Sequence, residues 1–389
     1  MNKSESIVYV NFSPYENAGK ILDFIKDNFS LVILFSINFH HLGKSQKSGA
    51  VFVYKNKKLI EEHKLFDIPF RIPTSFIFLL LPIRSFMNMF QIYWHLWKLN
   101  KKYGKFDVYF TVNAFTAWVG NIARHFGLIG KTIFWVWDYY PPYHSNKILL
   151  LMRWIYWQFD KATRASNQLI FLNKRLENLR KDINIIPKDI NYPIIPIGTD
   201  PIKKIKKRNK NKLIIGFLGV LKKSQGLDLF FNQANKIHEK FPELELQIIG
   251  AGPHEDYFRK KAKNCVIPVK FYGFVPDDNN VKKIQLGWDI AIALYIPEES
   301  NVSYYTDPSK IKTYLSLSIP VIITDVAFSE EVKAEKAGIV INYFNKNQLI
   351  TAISKLLSNY EIYQKNSLKL AKKYYYKNLY QKMFYPNKD

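Results

Sequence analysis

The sequence predicts an α/β protein made of two doubly wound, Rossmann-like domains. Three observations carry this. Short β-prone runs alternate with amphipathic helical stretches from residue 7 almost to the C-terminus, the pattern of parallel sheets covered by helices. The charged run IKKIKKRNKNK (202–212) has no apolar periodicity and separates two segments that each repeat that pattern. The length of 389 residues exceeds what one core ordinarily supports.

In the first segment IVYVNF (7–12) is a strand, NAGKILDFIKDNF a helix and LVILFSI (31–37) a second strand, which makes one βαβ unit. AVFVY (50–54), FDVYFTV (106–112), KTIFWVW (131–137), QLIFLN (168–173) and YPIIPIG (192–198) follow as strands, with a long helix from Arg84 and another over AFTAWVGNIARHFGL. The second segment restarts with KLIIGFLG (212–219) and continues through LELQIIGAGP (244–253), VKFYGFV (269–275), WDIAIALY (288–295), VIITD (321–325) and AGIVINY (337–343), about six strands with helices between them. The expected division is 1–200 for the first domain and 201–365 for the second, with 366–389 as a C-terminal helix packing back on the first.

Composition narrows the function. A hydrophobic fraction of 48% with 16% aromatics excludes a disordered chain. The single cysteine, Cys265, excludes an intramolecular disulfide framework and a clustered cysteine metal site, which suits a reducing compartment. The start MNKSESIVYVNF runs straight into an alternating apolar stretch, so no secretion signal is expected. The apolar region 75–97 is broken by Pro82 and Arg84, and no transmembrane helix is expected there. The net charge of +25 suits anionic partners: nucleic acid, a membrane face or phosphorylated substrates. It is spread evenly, 26 Lys and Arg against 14 Asp and Glu in residues 1–200, hence +12 there and +13 beyond. No nucleic-acid motif accompanies it. The eight histidines are scattered, apart from His40 and His41, so no metal set is expected. No GxSxG elbow is present.

Ligands of open α/β sheets bind beyond the carboxyl ends of the strands. In GVLKKSQG, Gly219 permits close backbone approach and Lys222 or Lys223 supplies charge for a diphosphate; a surface turn is the other reading. Gly250 and Gly252 suit a tight strand-to-helix turn. Tyr272, Gly273, Phe274 and Val275 can hold a base, or can simply enter the core. YYTDPSKIKTYLSLSIPVIITD (304–325) opens a helix at Pro308, Ser309 and Lys310, where free amides and the positive end of the helix dipole favour an anion. Ordinary capping, with Asp307 as cap and Pro308 in the first turn, is the alternative.

The order of these segments, GxL, QGLDL, a strand ending GAGP, FYGFV, WDIAIALY, PSKIKTYL and PVIITD, resembles the donor domain of GT-B glycosyltransferases of the large group-1 (GT4-like) family over about residues 212–357. The first half is similar through the early glycine loop at Asn17, Ala18 and Gly19, the strand KTIFWVWDYYP and the phrase IPIGTDP. The resemblance implies two Rossmann-like domains facing across a cleft. It implies a retaining, metal-independent hexosyltransferase, with no cofactor beyond a UDP- or GDP-linked sugar. The first domain is then expected to hold a glycan or polyprenol-linked acceptor through Asn17 and Gly19. Asp138 would contact the acceptor hydroxyl or transferred sugar, unless it caps the turn beside Pro141; Trp137 stands where the family carries histidine. Gly219, Lys222, Lys223, Gly252, Gly273, Phe274, Val275, Tyr305, Pro308, Ser309, Lys310 and Thr313 are the expected donor residues.

Four anchors usual in that family are replaced: Val220 and Gln225 stand for an arginine and a lysine in the first loop, and Tyr305 and Thr313 for two glutamates eight positions apart. Lys222, Lys223 and the helix opening at Pro308 offer compensating charge, and the Thr313 hydroxyl can bond a sugar. A binder of sugar nucleotides or glycans without catalysis is therefore a second expectation. A basic nucleic-acid binder is a third, and it predicts salt-sensitive binding to DNA or RNA. The mix of aromatics and Arg84, Lys98, Lys101 and Lys102 within residues 76–102 suits either a helix buried on the sheet or one resting on an anionic membrane. Surface polysaccharide synthesis in the cytoplasm, peripheral to the inner face of the cell membrane, would join these features.

Overall fold

The computed structural model describes residues 5–12, 14–38, 49–67, 77–137, 139, 146–202, 212–298 and 301–386, with side chains for all of these except 14–16, 77–81 and 149. The chain forms two compact units, one of Met1–Pro196 with Tyr380–Asp389 and one of Ile197–Leu379.

The first unit holds strands β1 (Ser6–Asn11), β2 (Leu31–Ser36), β3 (Ala50–Lys55), β4 (Lys58–Lys64), β5 (Phe106–Thr111), β6 (Ile129–Val136) and β7 (Gln168–Phe171) in the order β4-β3-β2-β1-β5-β6-β7. Its helices are α1 (Ile21–Asn28), α2 (Ile77–Tyr103), α3 (Ala114–His125), α4 (Lys147–Ala162) and α5 (Lys174–Asp182). The sheet is mixed where a parallel one was expected. Asn56 and Lys57, both at positive φ, turn β3 back on β4 as a two-residue hairpin, and β2, β3 and β4 pair antiparallel. The expected strand 192–198 reduces to one bridge, Phe171 to Ile194. Pro193 and Pro196 in YPIIPIG have no N–H for a ladder.

The second unit is all parallel: β8 (Leu213–Leu218), β9 (Leu244–Ile249), β10 (Val269–Gly273), β11 (Ile290–Ala293), β12 (Val321–Ile323) and β13 (Gly338–Val340), in the order β10-β9-β8-β11-β12-β13. Around it lie α6 (Asp228–Phe231), α7 (Ala234–Lys240), α8 (Glu255–Lys263), α9 (Asp278–Gln285), α10 (Ser309–Ser316), α11 (Ser329–Ala334), α12 (Asn347–Ser358) and α13 (Tyr360–Lys373). The strands read as near-continuous apolar runs because both faces are covered. Leu213, Ile215, Phe217, Ile290 and Ile292 enter one core, while Ala291, Ala293, Val321 and Ile323 enter a second with Tyr314 and Leu315.

The division falls at Pro196 rather than near residue 200, because the segment after it is hydrogen-bonded within the second unit. Ile197 N–H donates to the Asp307 carboxylate (2.7 Å), Thr199 N–H to Tyr374 O (2.8 Å) and Ile202 N–H to Ser316 O (2.9 Å). Residues 366–379, expected with the first domain, also belong to the second unit. The last helix, α14 (Tyr376–Phe384), delivers its end to the first unit. There the Tyr380 hydroxyl donates to Gly19 O (2.8 Å), and Tyr380 and Phe384 pack edge-on or stacked against Phe24, Phe110 and Trp135.

Candidate functional site

The second sheet reverses direction of travel between β8 and β11, and ligands of such sheets bind beyond the carboxyl ends at that switch point. The loops there interlock closely. Gly219, at φ 154°, donates its N–H to Ile249 O (3.0 Å), Leu221 to Ala251 O (3.1 Å), and Gly250 to Gly273 O (2.8 Å). A Cβ on Gly250 would lie 2.0 Å from Gly219 O, so only glycine lets β8 and β9 end side by side. Gly226, at φ 75°, closes the turn that carries Gln225, and a Cβ there would lie 1.6 Å from Leu294 O, just past β11. Gly226→Ala is therefore expected to cost about 3 kcal/mol in urea unfolding and to displace Gln225.

Lys310, in the first turn of α10, places its ammonium in this interlock. Nζ donates to Gln225 Oε1 (2.8 Å) and lies over the rings of Phe217 (4.4 Å) and Tyr295 (4.3 Å). A Cβ on Gly219 would be 3.2 Å from it. Burial pulls its pKa from 10.5 to about 7. A cation held without a carboxylate costs stability as pH falls from 10.5 toward about 7, and an anion arriving there reverses that cost. No side chain caps α10, so its dipole and first amides act beside the ammonium.

The capping expectation for Asp307 is corrected. Its carboxylate turns inward, accepts from Ile197 N–H and pairs with Lys312, both partners of the ion pair being buried. Burial holds the Lys312 pKa below its ordinary value, and the Asp307 carboxylate offsets only part of that shift. The Lys312 ammonium also lies over Phe328 (5.0 Å) and Tyr374 (5.1 Å). Within the core side of α10 the Tyr314 hydroxyl accepts from Leu218 N–H (2.8 Å), tying the helix to the end of β8. These contacts fix the attitude of the turn from Pro308 to Lys310.

Other expected donor residues divide. Lys223 swings away to lie over the Tyr257 ring at 4.6 Å, and Lys222 is exposed on the loop. Lys310 is the expected donor lysine that lies at the end of β8, and Gln225, read only as a lost lysine, is its hydrogen-bond partner. A pairing across 85 residues leaves no spacing signal. Gly252 meets Leu221, where a Cβ would lie 2.6 Å from its N. Gly273 has φ 65° and open space around its missing Cβ, Phe274 beside it is 57% exposed, and Val275 packs against the core with Tyr272. Tyr305 is buried, edge-on to Tyr304. The Thr313 hydroxyl donates to Ser309 O (3.2 Å), which leaves its lone pairs for a ligand.

In the first unit the switch point lies between β1 and β5. Asn17 and Gly19 sit in the turn that follows β1, with Gly19 at φ 66°, and Asn17 Oδ1 is buried without a partner. The indole N–H of Trp137, just past β6, is likewise buried and unpartnered. Asp138 lies outside the described residues.

The second unit is thus doubly wound, with glycine-lined loops and a buried lysine at its switch point. The family comparison is more specific: residues 212–359, within the second unit, match the model of glycosyl transferases group 1. Among solved structures, the chain is similar to a sucrose-phosphate synthase from Thermosynechococcus elongatus (TM-score 0.70, 14% identity, 97% of each chain). It is also similar to a UDP-forming alpha,alpha-trehalose-phosphate synthase from Burkholderia xenovorans (0.66, 12%, 98% of each). The lipopolysaccharide outer core galactosyltransferase WaaB scores 0.59 at 13% identity, over 97% of this chain and 99% of that one. No curated protein sequence matches. The whole chain thus has the GT-B fold.

Proposed function

We propose that this protein is a retaining hexosyltransferase that takes a sugar from a UDP- or GDP-sugar and delivers it to a glycan or polyprenol-linked acceptor in the cytoplasm. The observation that carries the reading is the Lys310 ammonium at the β8/β11 switch point, held by Gln225 beside the uncapped start of α10. A diphosphate satisfies both groups at once. In the transition state the leaving diphosphate gathers charge, and a preorganised cation with helix amides stabilises it in place of a divalent ion. The exposed Phe274 ring and the open backbone at Gly273 suit the base, and the Thr313 hydroxyl the sugar or ribose. Asn17, Gly19 and Asp138 are assigned to the acceptor side, with Asp138 at the acceptor hydroxyl or transferred sugar.

A thermal-shift screen with UDP, GDP, ADP and their sugars tests the donor reading, since a ligand at 100 times its Kd stabilises by about 2.7 kcal/mol. No shift with any nucleotide sinks it. Transfer or hydrolysis of a labelled nucleotide sugar, undiminished by EDTA, then separates a transferase from a noncatalytic binder. The buried lysine adds a pH signature. Because its pKa is lowered to about 7, diphosphate binding must take up a proton at higher pH. Nucleotide affinity is expected to fall by about ten-fold per unit above pH 7, read by calorimetry. An affinity flat from pH 7 to 9 removes Lys310 from the site.

A further inference from the structure

Helix α2 is apolar on two opposite faces. One face, Asn88, Ile92, Leu96 and Leu99 with Arg84, is buried on the first sheet. The other carries Ile83, Phe86, Phe90, Trp94 and Trp97 at helical spacing, and all are exposed, Phe90 by 66% and Trp94 by 60%. From Ile83 to Lys101 this stripe is about 27 Å long. A surface helix ordinarily turns polar residues outward. Helix α4 packs against α2 and adds Ile148, Leu150, Leu151 and Trp154, the last 58% exposed.

The exposed charge that α2 and α4 themselves carry has one sign. Helix α2 contains no Asp or Glu, and the single acidic residue of α4, Asp160, is buried against Arg180. Lys98 and Lys101 project from the end of the stripe, with Lys101 Nζ over the Trp97 ring at 3.7 Å; Lys102 is engaged by Glu61. Among the described residues no helix is long and apolar enough to cross a membrane. A second copy of this chain would bring like charge against like charge, on top of +25 per chain. A soluble anion has no use for aliphatic side chains.

We propose that the exposed face of α2 and α4 docks the protein on an anionic lipid bilayer. Phe86, Phe90, Trp94, Leu151 and Trp154 enter the headgroup boundary, while Lys98 and Lys101 meet lipid phosphates. The inference is independent of the transferase reading, because it uses no residue of the donor site.

Sedimentation of the full chain with phosphatidylcholine vesicles containing roughly one-third phosphatidylglycerol tests it. The parent is expected to bind these vesicles and to leave pure phosphatidylcholine largely free. The variant F90S/W94S should lose binding by about ten-fold or more, and K98E/K101E by a similar factor, roughly five-fold per lysine. Phe126→Ser, another exposed aromatic of the first unit, should bind like the parent and controls for general stickiness. A far-ultraviolet circular dichroism spectrum and thermal midpoint of F90S/W94S that match the parent's show that the variant is folded. The proposal is overturned if vesicles do not bind the parent, if F90S/W94S binds as well as the parent, or if this face instead forms a concentration-dependent dimer that F90S/W94S dissolves.

Discussion

Replacing Lys310 by methionine is expected to weaken nucleotide binding by about 100-fold and turnover by about 100- to 1,000-fold, while leaving the ligand-free protein more stable by about 1 kcal/mol at neutral pH. The two effects have one cause. The Lys310 ammonium is enclosed by Phe217 and Tyr295 with a neutral partner, Gln225, so no counter-charge of the protein repays its desolvation. Methionine fills similar space without a charge. Thermal unfolding with and without UDP, paired with a transfer assay, reads both consequences. A variant that loses stability and keeps its nucleotide shift overturns the assignment. Gln225→Ala should fall between the two, since the ammonium remains but is less well aimed.

Asp307→Asn is expected to destabilise the second unit by about 3 kcal/mol in urea unfolding. The substitution keeps an oxygen for Ile197 N–H but strips the buried Lys312 of its counter-ion. Phe328 and Tyr374 face that ammonium and offset little of the loss. The double variant D307N/K312M should recover most of the stability, because removing both charges removes the desolvation as well as the attraction. Equal stability of D307N and the parent would show that the pair contributes nothing. Nucleotide affinity should fall in D307N even where it stays folded, since this pair fixes the turn that presents Lys310.

The second unit was legible in the sequence because β8 through β13 are buried on both faces, and its apolar runs stand out between charged helices. The hairpin of β3 and β4 was not, since β4 is mostly exposed and KLIEEHK carries little apolar alternation. At the site, Lys310 was identifiable from the helix start it occupies. Asp307 was misassigned because an Asp before a Pro is ordinary capping chemistry, and its actual partners, Ile197 and Lys312, lie on a distant segment and on the inner side of a helix. A lysine at position 312, placed between Ile311 and Leu315 on an apolar face, was the available signal for a buried ion pair.

The return of the last helix to the first unit has a consequence for biosynthesis. Tyr380, Met383 and Phe384 are buried, and the rings of Tyr380 and Phe384 meet Phe24, Phe110 and Trp135 on α1, β5 and β6, made hundreds of residues earlier. The first unit therefore leaves the ribosome with a missing wall. Its core stays open through the whole synthesis of the second unit, and closes only when residues 380–384 emerge.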